Sequence, residues 1–362
     1  MRILYFSRDY TTHDHRFLAA LSNTSHQVYY LRLEGGGVTL EERPLPKGIE
    51  QVAWAGGHKT ATLRDGLRLV DDLRRVIRVL KPDLIHAGPI QRSAFLVALA
   101  GFHPLVSMSW GYDLLHDAHI NPFWRWATRF TLRRSDAMVG DCNTIRKLAV
   151  TYGMADSHIV TFPWGVDLCR FNLRTYERSN TPTFSLLSTR SWEPIYGIDL
   201  IARAYVAASR THPDLRLTLL GDGSQAATIR QILLDGGAYD RVSFPGIVPY
   251  SDLPDYFAAA DAYVSASHSD GTSISLLEAF ATGTPAIVPD IPGNREWVTS
   301  GETGWLFPDG DAGQLASTIL NAIDQRQVLP EMGRKARLVA EARADWEKNF
   351  LQLEKAYTLA LK

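Results

Sequence analysis

Two carboxylates with seven residues between them, Asp270 and Glu278, mark the stretch of this sequence best equipped for chemistry. They lie in Ser265–Val298, SASHSDGTSISLLEAFATGTPAIVPDIPGNREWV. An apolar run ends near Ser265, a small polar loop spans Ser267–Ser273, and a helical pattern runs from about Ser275 to Thr282, where Gly283 caps it. Such a loop suits an anion. Gly271 permits a close turn, and the N–H groups of Thr272, Ser273 and Ile274 stand at the positive end of the helix dipole, as a diphosphate requires. A carboxylate accepts two hydroxyl hydrogen bonds at once, so Glu278 is a candidate for a ribose diol and Asp270 for the hydroxyls of a sugar beyond the phosphates. The plainer reading makes Ser273 or Ser275 an N-cap and Glu278 the far half of a capping box.

The elements that must position these groups read as α/β. Short apolar runs ending in Gly, Ser, Asp or His alternate with stretches of helical period, the pattern of βα units and a parallel sheet. Six strands are expected in a first set: Ile3–Phe6, Gln27–Leu33, Leu84–His86, Leu105–Ser109, Ala137–Val139 and Ile159–Phe162. Six more form a second set: Phe184–Ser188, Arg216–Leu220, Val242–Phe244, Ala262–Ser265, Ala286–Val288 and Trp305–Phe307. The polar, aperiodic segment Asn172–Pro182 reads as the linker between them. The expectation is two doubly wound Rossmann-like domains, 1–172 and 173–345, with strand ends meeting at a cleft and a last helix, 346–362, returning to the first domain. The segment Ala61–Leu80 reads as a helix with Leu63, Leu67, Val70, Leu73, Ile77 and Leu80 on one face.

Composition agrees with two cores: 362 residues, 45% hydrophobic and 21% charged, are too many for one ordinary domain and too apolar for long disorder. The net charge of −1 conceals an asymmetry. Residues 1–180 carry 23 Lys and Arg against 17 Asp and Glu, a balance of +6, and residues 181–362 carry 15 against 22, a balance of −7. With only Cys142 and Cys169 present, neither a disulfide framework nor a cysteine zinc site is expected. Without a signal peptide or spanning segment, a reducing cytoplasm is the expected compartment.

The string Asp270…Glu278-Ala279-Phe280-Ala281-Thr282-Gly283-Thr284-Pro285 resembles the hallmark of the GT-B glycosyltransferases, specifically glycosyltransferase family 4. Further matches are Pro163-Trp164-Gly165-Val166-Asp167, Gly221-Asp222-Gly223, Phe244-Pro245-Gly246 and Gly301…Gly304-Trp305-Leu306-Phe307…Asp311. The resemblance covers almost the whole chain. It implies retaining transfer of a hexose or derivative from a nucleotide diphosphate sugar, without metal or other cofactor, to a glycan or lipid-linked acceptor. Donor binding would fall to Arg190, Gly221, Gly223, Ile247, Val248, Asp270, Gly271, Thr272, Ser273, Ile274 and Glu278. Of these, Arg190 matches the family's diphosphate arginine.

Departures from the family are specific. Asp270 stands where Glu is usual, which shortens its reach. In Ser188–Gly197, STRSWEPIYG, Tyr196 replaces the family's lysine. The first loop, Ser7–Arg16, lacks glycine but holds His13, Asp14 and Arg16, candidates for the acceptor side. Trp110 occupies the place of the family's histidine; it cannot shuttle a proton but can stack on a sugar, with Asp113 beside it for hydroxyls. His86, ending another strand, is the better histidine candidate. Each of these can equally be a turn, cap or core residue.

Competing signals are weaker. Gly221-Asp222-Gly223-Ser224-Gln225-Ala226 fits the dinucleotide fingerprint but lacks its acidic partner, and Asp309-Gly310-Asp311 reads as a capping box on the helix Ala312–Ile323 rather than a metal site. Pro122–Arg134, PFWRWATRFTLRR, places Phe123, Trp126, Ala127 and Phe130 on one face, either as core or as a patch for the inner surface of a membrane. Nucleic acid is not expected. The alternatives to a transferase are a GT-B sugar-nucleotide 2-epimerase and a non-catalytic sugar-nucleotide-binding protein.

Overall fold

The computed structural model describes residues 1–36, 41–173 and 183–362. Residues 174–182 of the expected linker lie outside that description. Two compact units form, one of Met1–Phe162 with Phe350–Lys362 and the other of Pro163–Asn349. The sequence boundary at 172 therefore falls inside the second unit. Val166 N–H donates to Ala344 O at 2.7 Å, and Phe171 is buried in the second unit's core.

The first unit holds β1 (Arg2–Ser7), β2 (Gln27–Arg32), β3 (Glu50–Gln51), β4 (Leu84–Gly88), β5 (Leu105–Met108), β6 (Ala137–Gly140) and β7 (Ile159–Thr161). The second holds β8 (Phe184–Ser188), β9 (Leu215–Leu220), β10 (Val242–Gly246), β11 (Ala262–Val264), β12 (Ala286–Pro289) and β13 (Gly304–Phe307). All pairings are parallel, in the orders β3-β2-β1-β4-β5-β6-β7 and β10-β9-β8-β11-β12-β13. All twelve expected strands form. The additional one, β3, is two exposed polar residues with no apolar pattern to announce it.

The interior strands are hydrophobic along their length because both their faces are covered, while β10 alternates half-buried and exposed residues. Leu186 joins one core of the second unit and its neighbour Leu187 the other, as do Leu219 and Leu220. Full burial of a Leu or Phe side chain stabilises by about 1.5–3 kcal/mol, which is why such runs specify interior strands. Each sheet reverses its winding at one point, between β1 and β4 in the first and between β8 and β11 in the second. Open α/β sheets take ligands at the carboxyl ends there.

Two helix expectations need correction. The region 61–80 is a 3-10 turn, Leu63–Asp65, followed by a helix, Gly66–Leu80. Its buried face is Leu69, Val70, Leu73 and Val76, while Leu67 is 90% exposed. The expected face was rotated, because Leu69 and Val76 meet the sheet core instead of Leu67. The C-terminal helix is two pieces, Trp346–Phe350 and Gln352–Ala360. The second packs on the first sheet, where Tyr357 Oη lies 2.9 Å from His86 Nδ1 and Glu354 pairs with His26 at 2.8 Å.

Candidate functional site

The second unit gathers its polar side chains where β8 and β11 part. Arg190, two residues beyond β8, donates from Nη2 to Asp270 Oδ2 at 2.8 Å and from Nη1 to Ser273 Oγ at 3.3 Å. Its guanidinium lies 4.2 Å from the centroid of the Tyr196 ring, a cation–π contact. Tyr196 thus occupies the lysine position as a platform for the remaining cation. Burial opposes the charge of Arg190; the pull of Asp270, then Tyr263, Tyr196 and Glu278, outweighs it and holds the guanidinium pKa above its ordinary value. The Nε of Arg190 is buried without a hydrogen-bond partner among the described residues.

Ser273 is the N-cap of the helix Ile274–Ala281, its hydroxyl accepting from Leu276 N–H. The capping-box reading of Glu278 fails, since a cap at Ser273 makes Leu276 the residue that would complete the box. Glu278 is instead buried, 4% exposed, on the helix that carries Thr272 and Ser273 at its start. The arrangement places one guanidinium, a helix N-terminus and two carboxylates in one electrostatic neighbourhood. That combination can hold an anion and hydroxyls together.

Several residues serve by shape. A Cβ on Gly293 would stand 2.2 Å from Gly271 O and 2.4 Å from Asp270 O, so the short helix Pro292–Arg295 approaches the Asp270 loop as only glycine allows. The sequence reading missed this position; its only signal was the Pro-Gly pair after β12. Gly221 and Gly223 lie against the backbone of Arg190 and Trp192, where a Cβ would meet Arg190 O at 3.2 Å and Trp192 O at 2.6 Å. They support the Arg190 loop, which accounts for the glycines of the apparent dinucleotide fingerprint. Ile247 is 84% exposed, and Val248 is partly buried against the core. His268 pairs with Asp309 at 2.8 Å, while Asp311 caps the helix Ala312–Asp324 by accepting from Gln314 N–H. Arg295 is engaged with Asp290 at 2.5 Å.

In the first unit three candidates are buried. Asp14 is 2% exposed; Tyr5 Oη donates to its Oδ1 at 3.0 Å, and Thr11 N–H to its Oδ2 at 2.9 Å in a capping box. Asp113, 2% exposed, accepts from Ser109 Oγ and from the N–H groups of Ile90 and Leu114. Burial pushes both carboxyls up to about 6 against those hydrogen bonds. His86 is fully buried in the strand β4, and burial pushes its pKa down to about 3. All three are turned into the fold, because their donors and aromatic neighbours lie inside it. His13 and Trp110 remain half-buried and lie together, ring centroids 5.5 Å apart, with Arg16 one helical turn from His13.

The helix Pro122–Arg133 buries Ala127, Thr128, Thr131 and Leu132. The expected shared face is divided: Phe123 and Trp126 are 41% and 49% exposed, in an aromatic cluster with Phe95 and Phe130. Among the described residues no helix is long and apolar enough to cross a membrane, and no group of three or more His, Cys, Asp or Glu is placed to hold a metal ion.

Residues 171–339 match the family described as glycosyl transferases group 1, and residues 11–170 match glycosyltransferase family 4. Glycogen synthase of Mycobacterium tuberculosis is 26% identical over 322 residues, 83% of this chain and 74% of that protein. D-inositol 3-phosphate glycosyltransferase of Pseudarthrobacter chlorophenolicus is 30% identical over 205 residues, 54% of this chain and 49% of its own. The crystal structure of Anabaena HepE in complex with UDP has a TM-score of 0.81 and 18% identity, covering 99% of this chain and 100% of that one. With both sheets parallel and Rossmann-like, and with the two family matches dividing the chain between them, this protein belongs to the GT-B glycosyltransferases of the family 4 type.

Proposed function

We propose that this chain is a retaining glycosyltransferase that moves a hexose or a derivative from a nucleotide diphosphate sugar to a glycan or lipid-linked acceptor, without a metal. The observation that carries the reading is the convergence of Arg190, Asp270 and Ser273 at the β8/β11 switch point. Arg190 and the amides of Thr272, Ser273 and Ile274 hold the diphosphate, Glu278 the ribose and Asp270 the sugar. The backbone at Ile247 and Val248 meets the base. UDP is the first nucleotide to try, because the HepE structures hold UDP and UDP-glucose.

In this reading the acceptor oxygen bonds to the anomeric carbon on the face the diphosphate leaves. The carbon–phosphate-oxygen bond breaks, and the departing oxygen takes the acceptor proton. The inward placement of His86, Asp14 and Asp113 supports that route, since none of them presents a base to solvent. Charge stabilisation of the leaving group then rests on Arg190 and the helix amides.

The exposed Phe123 and Trp126, with Arg125 and Arg129 exposed beside them, support peripheral attachment to an anionic membrane surface at the cytoplasmic side. A thermal-shift screen of UDP-, GDP-, ADP- and dTDP-sugars tests the donor reading, because binding raises apparent stability by RT ln(1 + [L]/Kd). The anomer of the transfer product then tests retention. Release of epimerised donor with no acceptor present would replace transfer by epimerisation, and binding without any turnover would leave a binding protein.

A further inference from the structure

The first sheet has its own switch point, between β1 and β4, and two arginines stand beside it. Arg8 follows β1 directly, and Arg92 lies in the helical segment Ile90–Ala94 that follows β4. Glu34, two residues past β2, bridges them. Arg8 Nε donates to Glu34 Oε2 at 2.9 Å, and Arg92 Nη1 lies 3.8 Å from Glu34 Oε1. The latter distance is too long for a hydrogen bond. Glu34 Oε1 and Arg92 Nε are both buried without a hydrogen-bond partner among the described residues.

The carboxylate is nearly covered, its side chain 6% exposed, while those of Arg8 and Arg92 are 48% and 31% exposed. Arg92 rests over the Trp124 ring at 4.7 Å, which orients its planar guanidinium. Burial, with repulsion from Arg8, lowers the Arg92 pKa from its ordinary value. The adjacent Arg32 is already matched by Asp9. Arg8 and Arg92 therefore share the Glu34 carboxylate, with Asp117 also drawing on Arg92, at the carboxyl edge of a sheet whose half of the chain carries a balance of +6.

We propose that Arg8 and Arg92, bridged by Glu34, bind an anionic group, a phosphate or a carboxylate, carried by the acceptor sugar. The proposal rests on the transfer reading above and names the acceptor class for it. Guanidinium forks donate paired hydrogen bonds to phosphate and carboxylate oxygens, and a second anion would relieve the repulsion that Glu34 leaves.

The test is calorimetric titration of the full chain, saturated with UDP, with glucose 1-phosphate, glucuronate and glucose. At least one anion is expected to bind about ten-fold or more tightly than glucose, and Arg8→Ala/Arg92→Ala to lose that preference. Which anion binds tells a phosphate ester from a uronic acid. Should the double alanine variant fail to fold, Arg8→Lys/Arg92→Lys keeps both charges without the fork and is expected to weaken anion binding several-fold. Equal binding of the anions and glucose by the unaltered protein, or unchanged anion binding by a folded variant, overturns the proposal. Nucleotide affinity, measured in parallel on the unaltered protein and the variants, is expected to be equal in both; its absence from the unaltered protein would count against the donor reading separately.

Discussion

The Arg190 guanidinium meets the Asp270 carboxylate at 2.8 Å, joining the loop after β8 to the loop after β11. The two side chains are 13% and 18% exposed, so each is held largely out of water by the other's presence. In the proposed donor reading, a diphosphate at Arg190 competes with Asp270, and a sugar hydroxyl then takes up the released carboxylate.

Arg190→Ala removes the cation and leaves Asp270 partly buried without it. Loss of one charge-assisted hydrogen bond, about 1.5–3 kcal/mol, predicts nucleotide binding weakened by one to two orders of magnitude. Arg190→Lys restores charge without the fork and should recover only part. Calorimetric titration with UDP checks both, and an unchanged Kd in Arg190→Ala would remove this residue from the donor site.

Glu278→Gln keeps the volume of a 4% exposed side chain while removing its charge. Donor affinity is expected to fall about ten-fold, the worth of a charge-assisted hydrogen bond, with a smaller change in melting temperature than Glu278→Ala causes. Calorimetry and a melting curve on the same samples separate binding from folding.

Gly293→Ala brings a methyl within 2.2 Å of Gly271 O and 2.4 Å of Asp270 O, both backbone atoms that cannot swing aside. A destabilisation of about 1–3 kcal/mol is expected, with impaired donor binding because the Asp270 loop moves. Gly66→Ala is the control: nothing lies within 4 Å of its Cβ, and the residue opens a helix. Denaturant melts of the two variants should differ in sign or nearly so.

Asp113 titrates at about 6 in the fold, raised by burial from 3.8. A raised carboxyl contributes stability that is fully present below its unfolded pKa and is lost as pH rises through about 6. Relative to Asp113→Asn, the unaltered protein should therefore lose about 2 kcal/mol between pH 4 and pH 8. Asp14 acts in the same direction, and His86, depressed to about 3, in the opposite one, losing stability as pH falls below 6.5. Urea melts across that range of pH decide it; a pH-independent difference would mean that Asp113 is not held neutral.

Phe123→Ser/Trp126→Ser alters two side chains that are 41% and 49% exposed. Cosedimentation with phosphatidylglycerol vesicles should fall markedly while the melting temperature changes little, since neither ring is deeply buried. Equal sedimentation of the variant would set the membrane reading aside.

Much of the proposed donor site rests on local signals. Asp270, Ser273 and Glu278 lie within one strand–loop–helix unit, whose period and cap are set by neighbours in the chain. Arg190 was readable only through resemblance, since its partner lies 80 residues away. For the aromatic helix the sequence left an interior face and a surface patch both open. Its apolar residues follow helical spacing, but Ala127 and Leu132 fit the interior while the larger Phe123 and Trp126 remain outside.

Alternation of apolar runs with helical stretches was enough to determine the class of fold and twelve of the strands, because burial and period act residue by residue along the chain. Which titratable groups face outward was decided by the tertiary structure. Asp14, His86 and Asp113 carry the right chemistry for a reacting site, yet buried donors and neighbouring rings claim them. Arg8, Glu34 and Arg92 look unremarkable in three separate segments, and only the winding of the sheet about β1 and β4 brings their charges together. Charge acts through space at a range of several ångströms, whereas sequence spacing reports only on the nearest turn.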